Sequence, residues 1–308
     1  MIVVSDVNNK EQLIMSHILK NKNMEVHIDL PLENYNFSRF DWTGKIIKVN
    51  FQNVDVSTIE STNCVNEHHF GKGFYNEFGM DTALGFDEVE IGGWFHKIGV
   101  GLLKKDDNQY LFSKAHEIKP AEFEVLADSN KVSIRCKSQA INGYSYLLTK
   151  EIELLENSFR LNYCLQNTGE KVIRTDEYTH NFVAINNDLI GNNYILKFPF
   201  QLKPKRFGAF VNPEKKVEID QKDITFNSSP KEQFFISNLS GDEKIDGVWE
   251  LQNLVSKIAI RETGSFQTNK VNLWGWKHVI SPELFYYVCI TPGQSSEWSR
   301  TYHVYNIE

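Results

Sequence analysis

The chain predicts an all-β fold, a large antiparallel β-sandwich, and three observations carry that expectation. Apolar residues recur with a period of two in many separate runs. Turn-forming residues punctuate those runs. Aromatic residues, which fill sandwich cores, are abundant: 21 Phe, 12 Tyr and 6 Trp among 308 residues.

The first element is the exception. Residues 11–20 (EQLIMSHILK) place Leu13, Ile14, His17 and Ile18 at i, i+1, i+4 and i+5, the spacing of one helical face. This predicts a short N-terminal helix in an extension, residues 1–28, that packs on a sandwich domain at 29–308. After residue 24 the period changes to two. Residues 45–51 set Ile47, Val49 and Phe51 on one face. Further strands are predicted at 122–127, 131–137, 145–154, 158–166, 194–200, 256–261, 285–291 and 298–305. In the last of these, Trp298, Arg300, Tyr302 and Val304 share one face, and Ser299, Thr301, His303 and Tyr305 the other. The turns fall at Asn142-Gly143, Asn167-Thr168-Gly169, Ser240-Gly241-Asp242 and Pro292-Gly293. No internal repeat, low-complexity tract or linker interrupts the pattern.

Composition narrows the function classes. Hydrophobic content of 41% with 24% charge is that of a globular protein rather than a disordered one. A net charge of −7 and a pI near 5.8 give no footprint for nucleic acid, and the basic runs at 203–206 and 215–216 are short. Cys64, Cys136, Cys164 and Cys289 are far apart and lack metal-ligand spacing. The N-terminus lacks a basic region followed by a long apolar run, and no stretch reaches the roughly 18 apolar residues of a membrane helix. Glycosylation triplets at Asn36 and Asn227 have no secretory signal beside them. The expectations are a cytoplasmic monomer or homodimer with neither nucleic acid nor membrane as partner.

Several catalytic signatures are missing. Ile98-Gly99-Val100-Gly101 is a two-glycine turn without the rest of a dinucleotide fingerprint, and no GxSxG elbow occurs. His68 and His69 are adjacent, so on a strand they would point to opposite faces, and no metal site is expected there. What remains are polar residues in aromatic surroundings. Arg39 and Asp41 stand beside Trp42, and Glu77 follows the glycine-spaced loop Gly71-Lys72-Gly73. His180 lies in Asp176-Glu177-Tyr178-Thr179-His180-Asn181-Phe182. Trp274-Gly275-Trp276 leads to Ser281-Pro282-Glu283. Taken singly, each has a structural explanation, such as an ion pair, a surface acid or a satisfied core histidine.

Taken in order, these motifs resemble the galactose mutarotase-like superfamily, which includes the aldose 1-epimerases, over about residues 35–305. The resemblance is carried by SRFDWTG at 38–44, by Leu165-Gln166-Asn167-Thr168-Gly169 and by Tyr178-Thr179-His180-Asn181-Phe182. It continues in Ile290-Thr291-Pro292-Gly293-Gln294, which runs into Trp298-Ser299-Arg300-Thr301-Tyr302 and is similar to the family's closing turn and final strand. The string RFDWTG…NEFG…KIGVGLL…YTHNF…FPF looks like a distinct branch of the superfamily. The family's usual Leu-His-Gly-Gly loop is echoed only by Glu67-His68-His69-Phe70-Gly71.

The resemblance implies a supersandwich fold and an enzyme that interconverts the anomers of a free sugar by opening and reclosing the ring, with no cofactor. It implies His180 as the catalytic acid. The family's basic Glu has two candidate positions. Val288-Cys289-Ile290-Thr291-Pro292 is the nearest local match but has Thr where Glu should stand. Ile280-Ser281-Pro282-Glu283 retains a carboxylate and leaves the closing turn in place, which favours Glu283 as base. Arg39, Asp41, His69, Glu77 and Asp176 would then bind hydroxyls, and Trp42 or Trp274 would stack on the ring. Two other readings share the scaffold: a carbohydrate-binding protein without turnover, and a polysaccharide lyase or glycoside-processing enzyme.

Overall fold

Strict alternation builds the longest strands. Tyr146–Leu154 alternates buried and half-buried residues along its length, and Ser158–Asn167 alternates in the register that pairs with it. The computed structural model describes residues 2–3, 16–62 and 69–308, and nearly all of its regular structure is antiparallel strand. Among the described residues, an 11-stranded sheet runs from Ile2–Val3 through Glu122–Ala127, Lys131–Lys137, Tyr146–Leu154, Ser158–Asn167 and Ser295–Asn306. It continues through Ile258–Thr268, Ile245–Asn253, Tyr194–Lys197 and Asp223–Phe226 to Val217–Ile219.

A second, 7-stranded sheet faces it. Its path is His17–Lys20, Met24–Asp29, Lys45–Phe51, Phe74–Phe78, Ile173–Asn181 and Tyr286–Ile290, with Val54–Asp55 paired to Lys45–Phe51. The core lies between the two. Phe74 of the smaller sheet packs on Phe159 and Tyr302 of the larger one, at 5.1 and 4.8 Å between ring centroids, and Phe78 packs on Trp298. A 4-stranded sheet (Phe210–Val211, Phe234–Ile236, Val271–Trp276, Val279–Leu284) continues beside the smaller sheet. The two are joined by paired hydrogen bonds between Val183 and Ile280 of 3.0 and 3.1 Å.

The N-terminal helix is corrected. Residues 11–15 lie outside the described residues, but His17–Lys20 is a strand paired with Met24–Asp29. The apolar spacing fits a helical face, yet pairing on the sheet edge buries Leu19 completely, and that tertiary gain overrides the local pattern. The extension boundary drawn at residue 28 falls inside the strand Met24–Asp29. Strands are otherwise found where alternation predicted them, with shifted ends: the one expected at 256–261 extends over Ile258–Thr268. Phe74–Phe78 escaped because all five of its residues, Asn76 and Glu77 included, are buried, so no alternation shows. Among the described residues no helix is long and apolar enough to cross a membrane.

Candidate active site

Strand Ile173–Asn181 separates two environments. Its period of two sends Glu177, Thr179 and Asn181 toward the larger sheet, and Asp176, Tyr178 and His180 to the other face. The neighbouring strand Val279–Leu284 is fixed alongside by the Val183–Ile280 bridge and by Asn181 Nδ2, which donates to the Pro282 carbonyl at 2.6 Å. The same periodicity then puts Ser281 and Glu283 together on the side of His180.

His180 Nε2 lies 3.5 Å from Glu283 Oε1. Ser281 Oγ lies 2.8 Å from His180 Nδ1 and 3.3 Å from Glu283 Oε1, so one hydroxyl touches both groups. Aromatic rings hold the imidazole in place. Phe182 stacks on it at 4.1 Å and 15°, and Trp274 and Phe40 meet it edge-on at 5.3 and 6.2 Å. Gly71 makes room for this stack, because a Cβ there would lie 2.3 Å from the Phe182 ring.

A charged cluster adjoins the pair. Glu77 is clamped by three donors: Tyr178 Oη at 2.7 Å, Arg39 Nε at 3.2 Å and Lys97 Nζ at 3.3 Å. Arg39 also donates to Glu60 at 2.7 Å, and the other Glu60 oxygen accepts from the Gly71 amide at 2.7 Å. Burial works against the charge of Arg39, yet Glu60 and Glu77 outweigh it and hold the guanidinium protonated. Lys97 is kept charged against burial in the same way by Tyr110 and Glu77.

Electrostatics divides the pair from this cluster. Burial pushes the Glu283 carboxyl up to about 8, against the pull of Arg39 and the Ser281 hydrogen bond. Burial, and then Arg39, push His180 well below its ordinary value of 6.5. Near neutrality the proton of the pair therefore rests on Glu283, with His180 neutral. A protonated carboxyl beside a neutral imidazole is a ready acid and base.

No protein-family model and no curated protein matches the sequence. Solved structures do. The Slr1438 protein from Synechocystis sp. PCC 6803 aligns over 99% of this chain and 100% of its own, at a TM-score of 0.61 and 10% identity. An Escherichia coli K12 protein provisionally described as an aldose 1-epimerase aligns over 95% and 99%, also at 0.61, with 8% identity. A galactose mutarotase-like protein from Lactobacillus casei aligns over 94% and 100%, at 0.56 and 11% identity. The chain has the galactose mutarotase-like fold.

Within that fold, five of the nine residues singled out from sequence come together: His180, Glu283, Arg39, Glu77 and Trp274. Asp176 lies near them, bonded to Lys270 at 3.3 Å, and Lys270 in turn covers the Phe285 ring stacked on Tyr178. The other three are engaged elsewhere. Asp41 is buried between the sheets, where it accepts from Thr43 and from Lys150 Nζ at 3.2 Å. Trp42 is buried, donates to the Phe37 carbonyl and packs on Phe123. His69 stacks on Phe37 at 4.3 Å. Among the described residues none of the three bonds to or stacks on His180 or Glu283.

Thr291, the competing position for the Glu, lies in an exposed turn after Tyr286–Ile290. Ile290 pairs with Ile173, at the far end of the strand from His180. Sequence reasoning missed Ser281, Phe182, Tyr178, Glu60 and Lys97. The signal for Ser281 and Tyr178 was present, since each lies two residues before a singled-out residue on a strand, hence on its face. Among the described residues no cluster of His, Cys, Asp and Glu has metal-binding geometry.

Proposed function

We propose that the protein is an aldose 1-epimerase-type enzyme that interconverts the anomers of a free sugar. The observation that carries this reading is the Glu283–His180 pair, 3.5 Å apart and buried among aromatic rings, where burial raises the carboxyl and lowers the imidazole. The resting protonation reverses the roles expected from the family resemblance. Neutral His180 accepts the proton of the anomeric hydroxyl while the Glu283 carboxyl protonates the ring oxygen. The C1–ring-oxygen bond breaks and leaves an open-chain aldehyde, with carboxylate and imidazolium as an ion pair in direct contact. Rotation about C1–C2 presents the other carbonyl face. Ring closure then returns each proton to its donor, so the pair is ready for another turnover.

Acid–base assistance of this kind contributes on the order of a hundred- to ten-thousandfold in rate. Polarimetry or NMR of freshly dissolved α-sugars should show accelerated mutarotation with the protein, reduced by about that factor in His180→Ala. A broad panel of hexoses, pentoses and sugar phosphates with no acceleration would overturn the reading. A binding role without turnover is favoured by one feature, the 4% exposure of both His180 and Glu283. Ligand-induced thermal shifts without mutarotation would select it.

A further inference from the structure

The strand register extends the site across the 4-stranded sheet. Trp274 lies opposite Ser281 on one side and opposite Phe235 on the other, and Phe235 lies opposite Val211. Directly opposed residues of antiparallel strands project to the same face. Ser281 reaches His180, so this face carries the catalytic pair. Trp276, two residues beyond Trp274, shares it. The core is on the other face, where Phe234 and Leu273 are buried and the Phe234 ring lies where a Cβ on Gly275 would be, at 2.3 Å.

A row of Ser281, Trp274, Phe235 and Val211 therefore leads away from the pair. It carries no charged side chain. Trp274, Trp276 and Phe235 are half-buried, and Val211 is 48% exposed. Strand spacing puts Phe235 about 5 Å and Val211 about 10 Å beyond Trp274. The indole N–H groups are already committed, Trp274 to Gln233 Oε1 and Trp276 to the Lys231 carbonyl, and Lys277 Nζ lies 5.2 Å over the Trp276 ring, which leaves the rings of Trp274 and Phe235 as the contact surface. An uncharged aromatic strip of this length matches the C–H face of a further sugar ring. A lone monosaccharide on His180, Glu283 and Trp274 would leave Phe235 and Val211 without a ligand.

We infer that the strip is an outer subsite and that the substrate is the reducing end of an uncharged oligosaccharide. This rests on the epimerase reading for its chemistry, but its binding can be measured separately. The probes are maltose, cellobiose and lactose, their component monosaccharides, and the corresponding disaccharide alditols, which cannot mutarotate. The variants are Phe235→Ala and, at the exposed end, Val211→Lys, with thermal midpoints measured for each.

At least one disaccharide should bind by calorimetry more tightly than its monosaccharides, and its KM should rise about tenfold in Phe235→Ala. Monosaccharide parameters should stay within about twofold. Monosaccharide turnover without tighter disaccharide binding, or equal losses for both, would overturn the inference and leave the epimerase reading intact. Phe235-dependent binding of disaccharides and alditols without mutarotation would support the subsite and remove the reading. No binding by any probe would remove the subsite. Should Phe235→Ala lose its cooperative melt, Val211→Lys decides alone by the same criteria.

Discussion

The two faces of strand Ile173–Asn181 are both buried and both polar, but they treat their charges differently. On the core face Arg300 donates to Glu177 through Nε and Nη2, the shortest contact 2.7 Å, and to Glu262 at 2.6 Å. Trp298 and Asn76 complete Glu177, and Trp249 and Asn181 complete Glu262, so all four carboxylate oxygens have donors, although burial still raises the Glu262 carboxyl against the pull of Arg300. On the site face, His180 and Glu283 have Ser281 and each other, and burial drives both toward neutrality. Fully paired buried charge holds two sheets in register. Incompletely paired buried groups leave a proton that can move.

The largest expected effect breaks the core face. Arg300→Ala strands two carboxylates between the sheets, and removing one partner of such a buried network costs about 3–5 kcal/mol. Urea denaturation should show that loss or no cooperative transition, whereas a cost near zero would mean the network is not what locks the sheets.

A smaller effect sharpens the contrast through pH. The stabilising contribution of Glu283 is complete below its ordinary 4.5 and is lost as pH rises through about 8, because the folded state holds the proton more tightly. His180 acts in the opposite sense: its contribution is present above 6.5 and is lost as pH falls through its depressed folded value. Glu283→Gln removes the first dependence. Its thermal midpoint should therefore gain on the wild type from pH 5 to about pH 8 and level off above that. A difference that does not vary with pH would contradict the raised carboxyl.

The smallest effect concerns positioning. Ser281→Ala frees Nδ1 of His180 and should lower kcat by about tenfold while moving the pH profile of kcat/KM, in keeping with the worth of a single hydrogen bond. Ser281→Thr keeps the hydroxyl and should restore both. Loss of activity with an unmoved profile would reduce Ser281 to a packing residue.

Much of the sandwich was legible because its long strands are half-buried. Tyr146–Leu154 and Lys131–Lys137 alternate as a sheet with one core face must. Phe74–Phe78 was illegible for the converse reason: both its faces are covered, and its Asn and Glu are polar but paired. The site was legible as polar residues among aromatics, together with the resemblance around His180. The string SRFDW did not reveal that Arg39 turns to the site while Asp41 and Trp42 turn away. These residues lie outside any regular strand, so no period fixes their directions.

Sequence by itself determined the class of the fold, its main strands, and His180 with Glu283 as the residues to test. It favoured position 283 over 291 for the carboxylate and expected the proton on His180, with Glu283 as base. The tertiary structure set Glu283 beside His180 through one bridge, Val183 to Ile280, between strands far apart in the chain. Burial then set the protonation. Periodicity is a property of neighbours along the chain, whereas strand pairing and desolvation arise only from what the folded sheets bring together.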